Sequence, residues 1–307
     1  MKAVRMHAVG GPEALETDDI PMPQPQDDEV VVKVHAASLN PVDWKMRSGK
    51  TGLKQEQLPI VLGRDISGTV EICGSAAHTL KKGDPVYAML GRDRGGYAEY
   101  VLVKAVEGAA KPATLDHVHA AAVPLAALTA WQGLFDHGGL KAGQRVLIHG
   151  GAGGVGHFAI QFAKAKGASV ATTVSADDID FVRQIGADQA IDYKAERFED
   201  VVHDIDLVFD LIGGETQDRS WAVLKDGGAI VSTLEQPSEQ KARERHARAI
   251  VYMAQPNAAQ LNEIGRLIDD GKVCPMVQET FPLSDAAAAL SKLENEHARG
   301  KIVLAAA

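Results

Sequence analysis

A run of glycines between an apolar strand and a helical stretch carries the strongest chemical signal in this chain. Arg145-Val-Leu-Ile-His149-Gly150-Gly151-Ala152-Gly153-Gly154-Val155-Gly156 contains Gly151-x-Gly153-x-x-Gly156, the spacing with which a strand-to-helix turn holds the pyrophosphate of a dinucleotide. The first glycine permits the tight turn, the second lets the backbone approach the pyrophosphate, and the third lets the helix pack closely on the sheet. Gly154 and Val155 complete the entry to that helix, whose free N–H groups attract an anion. A close-packed turn without a ligand is the plainer reading, but this turn lies inside a strand-helix-strand unit of the proper length.

Which dinucleotide it takes depends on the end of the next strand, about 20 residues on, where an acidic residue reads the ribose 2′-OH of NAD. That stretch is Ala171-Thr172-Thr173-Val174-Ser175. It holds no acid, and the hydroxyls of Thr173 and Ser175 offer hydrogen bonds to a 2′-phosphate, so the expected cofactor is NADP, in its reduced form NADPH. Asp177 and Asp178 lie where a cation would serve the phosphate better. Tyr193 and Arg183 are candidates to close on it, although Arg183 also reads as the solvated face of its helix and Tyr193 as a strand-end residue.

The elements that must position this site are legible on both sides of it. Arg145 to His149 reads as a short apolar strand, and Val155 to Lys166 as a helix with Val155, Phe158, Ala159, Phe162 and Ala163 on its apolar face and Gly167 as its stop. Ala168 to Val174, Ala190 to Asp192, Leu207 to Asp210 and Ala229 to Thr233 read as further strands. A helix over Asp178 to Ile185 would be capped by Ser175 with Asp178 in a weakened capping box. Strands alternating with helices predict a parallel sheet. Before Pro124 the pattern differs. Glu29 to Ala36 alternates, with Val30, Val32, Val34 and Ala36 on one face, and Ile66 to Ile72, Pro85 to Ala88 and Tyr97 to Val103 follow as short strands between glycine turns. Such a series suggests a small barrel or sandwich.

Composition narrows the alternatives. The chain has 307 residues, 45% hydrophobic and 24% charged, which suits two globular domains and excludes wholesale disorder. Its 32 basic and 41 acidic residues leave a net charge of −9 and no basic run to track a phosphate backbone, so nucleic acid is not an expected partner. Cys73 and Cys274 are too few for a disulfide framework or a four-thiolate zinc site. The first residues lack an apolar signal region, and the most apolar stretch, Val118 to Trp131, is interrupted by His119 and Pro124. The expectation is a cytoplasmic protein without a membrane span.

Further motifs converge on one resemblance. They are Asn40-Pro41-Val42-Asp43-x-x-x-Arg47-x-Gly49, Pro59-x-x-x-Gly63-x-Asp65-x-x-Gly68, Lys82-Gly83-Asp84-x-Val86 and Gly95-Gly96-Tyr97-Ala98-Glu99-Tyr100. Ala127-Leu128-Thr129-Ala130-Trp131, the glycine turn, Gly186-Ala187-Asp188 with Ile191-Asp192-Tyr193, and Gly300-Lys301-Ile302-Val303-Leu304 continue the series. From about Lys2 to Leu304 the chain resembles the medium-chain dehydrogenase/reductase superfamily, in its zinc-independent quinone oxidoreductase branch. The resemblance implies an α/β protein. A GroES-like β-barrel catalytic domain would occupy residues 1–123, with 252–307 returning to it, a Rossmann doubly wound sheet would occupy 124–251, and the cofactor would lie in the cleft between them. It also implies that Asn40 orients the substrate or nicotinamide, that Asp43 and Arg47 hold that loop, and that Thr129 meets the carboxamide or ribose.

Alcohol dehydrogenases of that superfamily resemble one another in a Gly-His-Glu ligand motif, an early catalytic Cys and a four-cysteine lobe. Here the motif reads Gly63-Arg64-Asp65, and no Cys lies near Asn40. A protonated Arg ligates no metal, and His117-x-His119 alone is ordinary polarity, so no metal site is expected. Hydride transfer from NADPH to a quinone is then the natural reaction, because the reduced acceptor carries its charge delocalised. Reduction of α,β-unsaturated carbonyls is the alternative, and an NADP-binding regulatory protein with weak turnover is a third reading. The tyrosines expected after the Asn motif are replaced by Lys45 and Thr51, which leaves Lys45, Tyr87 or solvent as proton source. Plainer readings stand beside these roles: turn chemistry for Asn40-Pro41, a structural i, i+4 pair for Asp43 and Arg47, an interior hydrogen bond for Thr129, an exposed side chain for Lys45. A homodimer or homotetramer is expected, paired through an edge strand around Ala229 to Thr233.

Overall fold

The alternation of Glu29–Ser38 builds the central strand of the first sheet, shown by a computed structural model that describes residues 1–306. Its neighbours are Asp65–Cys73 and Tyr100–Lys104 along its length and the C-terminal strand Lys301–Ala305 at its end, all antiparallel. Outward from it run Pro85–Met89 and Gly108–Ala110 on one side and, beyond Lys301–Ala305, Val277–Pro282 on the other. Lys2–Met6, Leu15–Asp19 and Ile60–Val61 form a second, three-stranded sheet. Val30, Val32, Val34, Ile66, Val70 and Leu304 share one apolar core. Ala36 does not join it. A register shift between Val34 and Ala36 turns Ala36 toward Ala121, Ala122 and Val303, as a bulge does when it adds a residue to one strand. The strand expected over Tyr97 to Val103 runs instead over Tyr100–Lys104, and Tyr97 enters the core ahead of it. These elements belong to one compact unit, Met1–Leu125 with Pro256–Gly271 and Pro275–Ala307.

The second unit is Ala126–Gln255 with Lys272–Cys274. Its six strands are all parallel, in the order Gln189–Asp192, Ser169–Val174, Arg145–His149, Ile205–Asp210, Leu224–Ser232, Arg248–Val251. Chain order reverses between Arg145–His149 and Ile205–Asp210, so the turn after His149 lies at the switch point where parallel sheets place ligands. Helices Gly156–Ala165, Ile179–Gln184, Gly214–Arg219 and Glu239–Glu244 alternate with the strands. Leu147, Ile191, Val208, Trp221 and Ile230 are among the residues of the core beneath. The expectation of pairing through Ala229 to Thr233 is overturned here: that strand is bonded on both sides, and the open edges are Gln189–Asp192 and Arg248–Val251. Among the described residues no helix is long and apolar enough to cross a membrane.

Candidate active site

The glycine turn has the shape its spacing predicts, with a different division of labour. Gly150, rather than Gly151, takes the left-handed conformation, at φ +79°, and so makes the tight turn that a side chain would strain. Gly151 is required because a Cβ there would lie 2.1 Å from Thr172 Oγ1, and Gly156 because a Cβ would lie 2.2 Å from the Gly150 carbonyl oxygen. At Gly153 the only neighbour of a Cβ would be that same oxygen, 3.6 Å away. The backbone at Gly153 is thus bare on a side open to an incoming group, the cradle a pyrophosphate needs. Gly153, Gly154 and Val155 are partly exposed, and the first N–H groups of Gly156–Ala165 have no carbonyl partner within the helix.

The hydroxyls chosen for the 2′-phosphate are engaged elsewhere. Thr173 is buried opposite His149 and donates to its Nδ1 at 3.0 Å. His149 Nε2 meets Ser220 Oγ at 2.9 Å, and Ser220 donates to the Thr216 carbonyl at 2.7 Å. This chain makes Nε2–H the donor and leaves Nδ1 as acceptor; burial lowers the imidazole's pKa and keeps it neutral. Ser175 donates to Asp178 Oδ2 at 2.8 Å in place of capping the helix backbone. Thr173 and Ser175 are therefore corrected as phosphate donors: strand alternation turns the first into the sheet, and the neighbouring acid takes the proton of the second. Arg183 is exposed on its helix. Tyr193, 59% exposed, follows the adjacent strand, its N–H bonded to the Val174 carbonyl at 3.2 Å. Lys194, which the sequence reading passed over, puts its Nζ 5.7 Å from the Tyr193 ring. An exposed tyrosine and an exposed lysine thus lie together beside the end of Ser169–Val174. Tyr193, Ile212, Leu234, Val251 and Met253 are exposed at or just beyond the strand ends, an apolar rim on the edge that carries the turn. Thr129 is buried, and the Tyr252 hydroxyl donates to its carbonyl.

In the other unit the Asn40 motif is the lid of a buried polar cluster. Asn40 precedes helix Pro41–Arg47, with Pro41 at the first helical position, where a missing N–H costs nothing. Its amide is held at both ends: Nδ2 donates to Asp65 Oδ2 at 2.8 Å, and Oδ1 accepts from Lys301 Nζ at 2.6 Å. Lys301 also donates to the Leu39 carbonyl at 2.7 Å and lies 3.6 Å from Asp65 Oδ2. Asp65 further accepts from Ser38 Oγ at 2.8 Å and from the Leu125 N–H at 2.7 Å. Asp43 Oδ2 accepts from the Asn40 N–H at 2.8 Å and from the Tyr97 hydroxyl at 2.9 Å, while Oδ1 has no partner. Burial raises the Asp43 carboxyl to about 6, against the pull of those two bonds.

Other expectations change with this geometry. Arg47 does not pair with Asp43; it crosses to helix Ala286–Asn295, meeting Glu294 at 2.5 Å and Ser291 at 3.3 Å. Tyr87 is fully buried and donates to the Leu261 carbonyl at 2.6 Å, which removes it as a proton source. Lys45 is half-buried, its Nζ 5.7 Å from the Trp44 ring. As a metal centre the cluster does not fit: every donor on Asp65 and Asn40 faces a proton or the Lys301 ammonium, and Arg64 brings another cation. Sequence reasoning quoted Asp65 and Lys301 inside motifs but assigned them no role, since nothing in one dimension shows that positions 40, 65 and 301 meet.

Comparison with known proteins agrees with both halves of this description. Residues 26–113 match the alcohol dehydrogenase GroES-like domain, and 185–304 match the zinc-binding dehydrogenase family. The human mitochondrial NAD(P)H oxidoreductase RTN4IP1 is 38% identical, over 90% of this chain and 81% of its own length. The chloroplastic NADPH-dependent alkenal/one oxidoreductase of Arabidopsis thaliana is 39% identical, over 99% of this chain and 79% of its own. The structure of the quinone oxidoreductase from Coxiella burnetii superposes with a TM-score of 0.92 at 38% identity, covering 99% of both chains.

Proposed function

Because the chain belongs to the medium-chain dehydrogenase/reductase family, we propose that it is an NADPH-dependent oxidoreductase that reduces quinones without zinc. The observation that carries this reading is the bare backbone at Gly153, at the switch point of the parallel sheet, with Tyr193 and Lys194 beside the next strand end. Gly150 to Gly156 would hold the pyrophosphate, and the Tyr193 hydroxyl and Lys194 ammonium would meet the 2′-phosphate. Bound there, reduced nicotinamide supplies a hydride. The quinone accepts two electrons and that hydrogen, becomes a hydroquinone anion, and takes its proton from solvent.

Quinone reduction suits the side chains at hand because it asks for no placed acid. Tyr97 and Asp43 bond each other, Tyr87 bonds a carbonyl, and Asn40 is held by Asp65 and Lys301. On this reading Asn40 and Asp43 shape the loop from inside, and Lys45, partly exposed on the same helix, is not required as an acid. A second reading, reduction of alkenals and enones, is favoured by the likeness to the Arabidopsis enzyme over nearly the whole chain.

The test is oxidation of NADPH and, separately, NADH by purified protein with 1,4-benzoquinone, then with an enone such as 1-octen-3-one. Faster oxidation of NADPH with benzoquinone supports the leading reading; turnover with the enone alone replaces it by the second. Lys194→Glu should erase the preference for NADPH by about tenfold or more, as one lost charge-assisted contact of about 1.5–3 kcal/mol implies. Lack of turnover with every acceptor would overturn both readings.

A further inference from the structure

Two segments leave the parallel sheet at its switch point, the glycine turn after His149 and the loop after Asp210, and the second is built on a carboxylate that the mechanism above does not use. Asp210 ends strand Ile205–Asp210, sits in register with His149, and is fully buried. A carboxylate so placed has to be met by donors at both oxygens. Oδ1 accepts from the backbone N–H groups of Ile212 and Gly213 at 3.0 and 2.9 Å. Oδ2 accepts from Gln217 Nε2 and from Ser232 Oγ, each at 2.9 Å. Ser232 Oγ in turn accepts from the Leu234 N–H at 3.2 Å. One side chain therefore gathers the loop after its own strand, the helix Gly214–Arg219 and, through Ser232, the start of the loop after strand Leu224–Ser232.

These two loops carry part of the apolar rim. Ile212 is 54% and Leu234 45% exposed, so neither has enough packing of its own to hold it still. The loop after Asp210 also touches the glycine turn. A Cβ at Gly150 would lie 3.1 Å from Ile212 Cδ1 and 3.8 Å from Leu211 Cβ. What fixes the backbone there is the pair of charge-assisted bonds to Asp210, a stronger kind than bonds between neutral groups. We infer that Asp210 is a positioning residue for the dinucleotide: it sets the Leu211–Gly213 loop against Gly150, so that Ile212 offers a fixed apolar surface beside the pyrophosphate cradle. A loop already held in place has less freedom to lose when the nucleotide binds, and the affinity rises accordingly. Asp210 acts through that loop, since its own oxygens are filled by Ile212, Gly213, Gln217 and Ser232.

This inference rests on the proposed binding of NADPH, and the experiment reads binding before any acceptor is added. NADPH is titrated into the wild type and its variants by nicotinamide fluorescence, with the melting temperature measured alongside. Asp210→Ala should weaken NADPH binding by about tenfold or more, as the loss of the loop's two bonds implies. Asp210→Asn, whose amide oxygen can still accept from Ile212 and Gly213, should recover much of that loss. Asp206, near the start of the same strand, accepts from the Arg145 N–H at 2.8 Å and from Lys225 Nζ at 3.0 Å. Asp206→Ala should lower the melting temperature and leave NADPH affinity within about twofold of the wild type, as a change at the far end of a strand does. Ile212→Ala, an exposed change that spares the carboxylate, should weaken NADPH binding by about fivefold through lost apolar contact, and it decides the matter if Asp210→Ala does not fold. Wild-type affinity in Asp210→Ala or in Ile212→Ala, or an equal loss in Asp206→Ala and Asp210→Ala, overturns the role of Asp210. If the variants behave as expected and no quinone is reduced, the quinone reading falls and the positioning role stands; a wild type that binds neither NADPH nor NADH overturns both.

Discussion

Asp43 shows how a single side chain ties the polar cluster to pH. Its carboxyl, pushed up by burial to about 6 from an ordinary 3.8, binds a proton more tightly in the folded protein than in the unfolded chain. The stabilisation this provides is complete below about pH 4 and is lost as pH rises through 6. Asp43→Asn stays neutral at every pH and should remove that slope. Chemical denaturation at pH 4 and pH 7 should therefore show the wild type losing about 3 kcal/mol more than the variant between the two, the size of a shift of roughly two units. Equal losses would mean that Asp43 titrates normally. The same scale explains why Thr173 and Ser175 misled the sequence reading. Both are hydroxyls at the right distance from the glycine turn, but His149 and Asp178, which take their protons, are chosen by strand register and loop geometry.

At the level of elements, the strand-turn-helix from Arg145 to Ala165 separates two kinds of glycine. Gly156 keeps the helix against the turn, since a Cβ would press on the Gly150 carbonyl at 2.2 Å, whereas Gly153 keeps the turn open, with nothing nearer than 3.6 Å. Gly156→Ala is expected to lower the melting temperature by several degrees, as overpacking of about 1–3 kcal/mol does. Gly153→Ala is expected to keep the wild-type melting temperature and weaken NADPH binding by at least tenfold. Differential scanning fluorimetry and a fluorescence titration check both; weakened binding in neither variant would remove the nucleotide from this turn. This element was legible because hydrophobic periodicity and glycine spacing are local properties. Arg248–Val251 and Val277–Pro282 were not read as strands, since each is short and mostly half-exposed, and pairing with a distant strand makes it one.

For the molecule as a whole, the proposed chemistry has no place for a metal. Exhaustive treatment with 1,10-phenanthroline should leave NADPH oxidation with benzoquinone within about twofold of the untreated rate, because hydride transfer to a quinone leaves a delocalised anion that needs no metal to hold it. A proportional loss of activity with zinc removed would overturn zinc-independent transfer. What the amino-acid sequence determined by itself was whatever neighbours along the chain can express: strands and helices by their apolar period, the tight strand-to-helix turn by its glycines, the two-part architecture by the change of pattern near Pro124, and the family by motifs in order. What only the tertiary structure decided was which polar groups remain available. Asn40, Asp65 and Lys301 satisfy one another across 261 positions, Tyr87 and Thr173 are turned inward, and Lys194 is left exposed with charge to offer. The physical reason is that a buried polar group must find its partner wherever the fold brings one, and that choice is made in three dimensions.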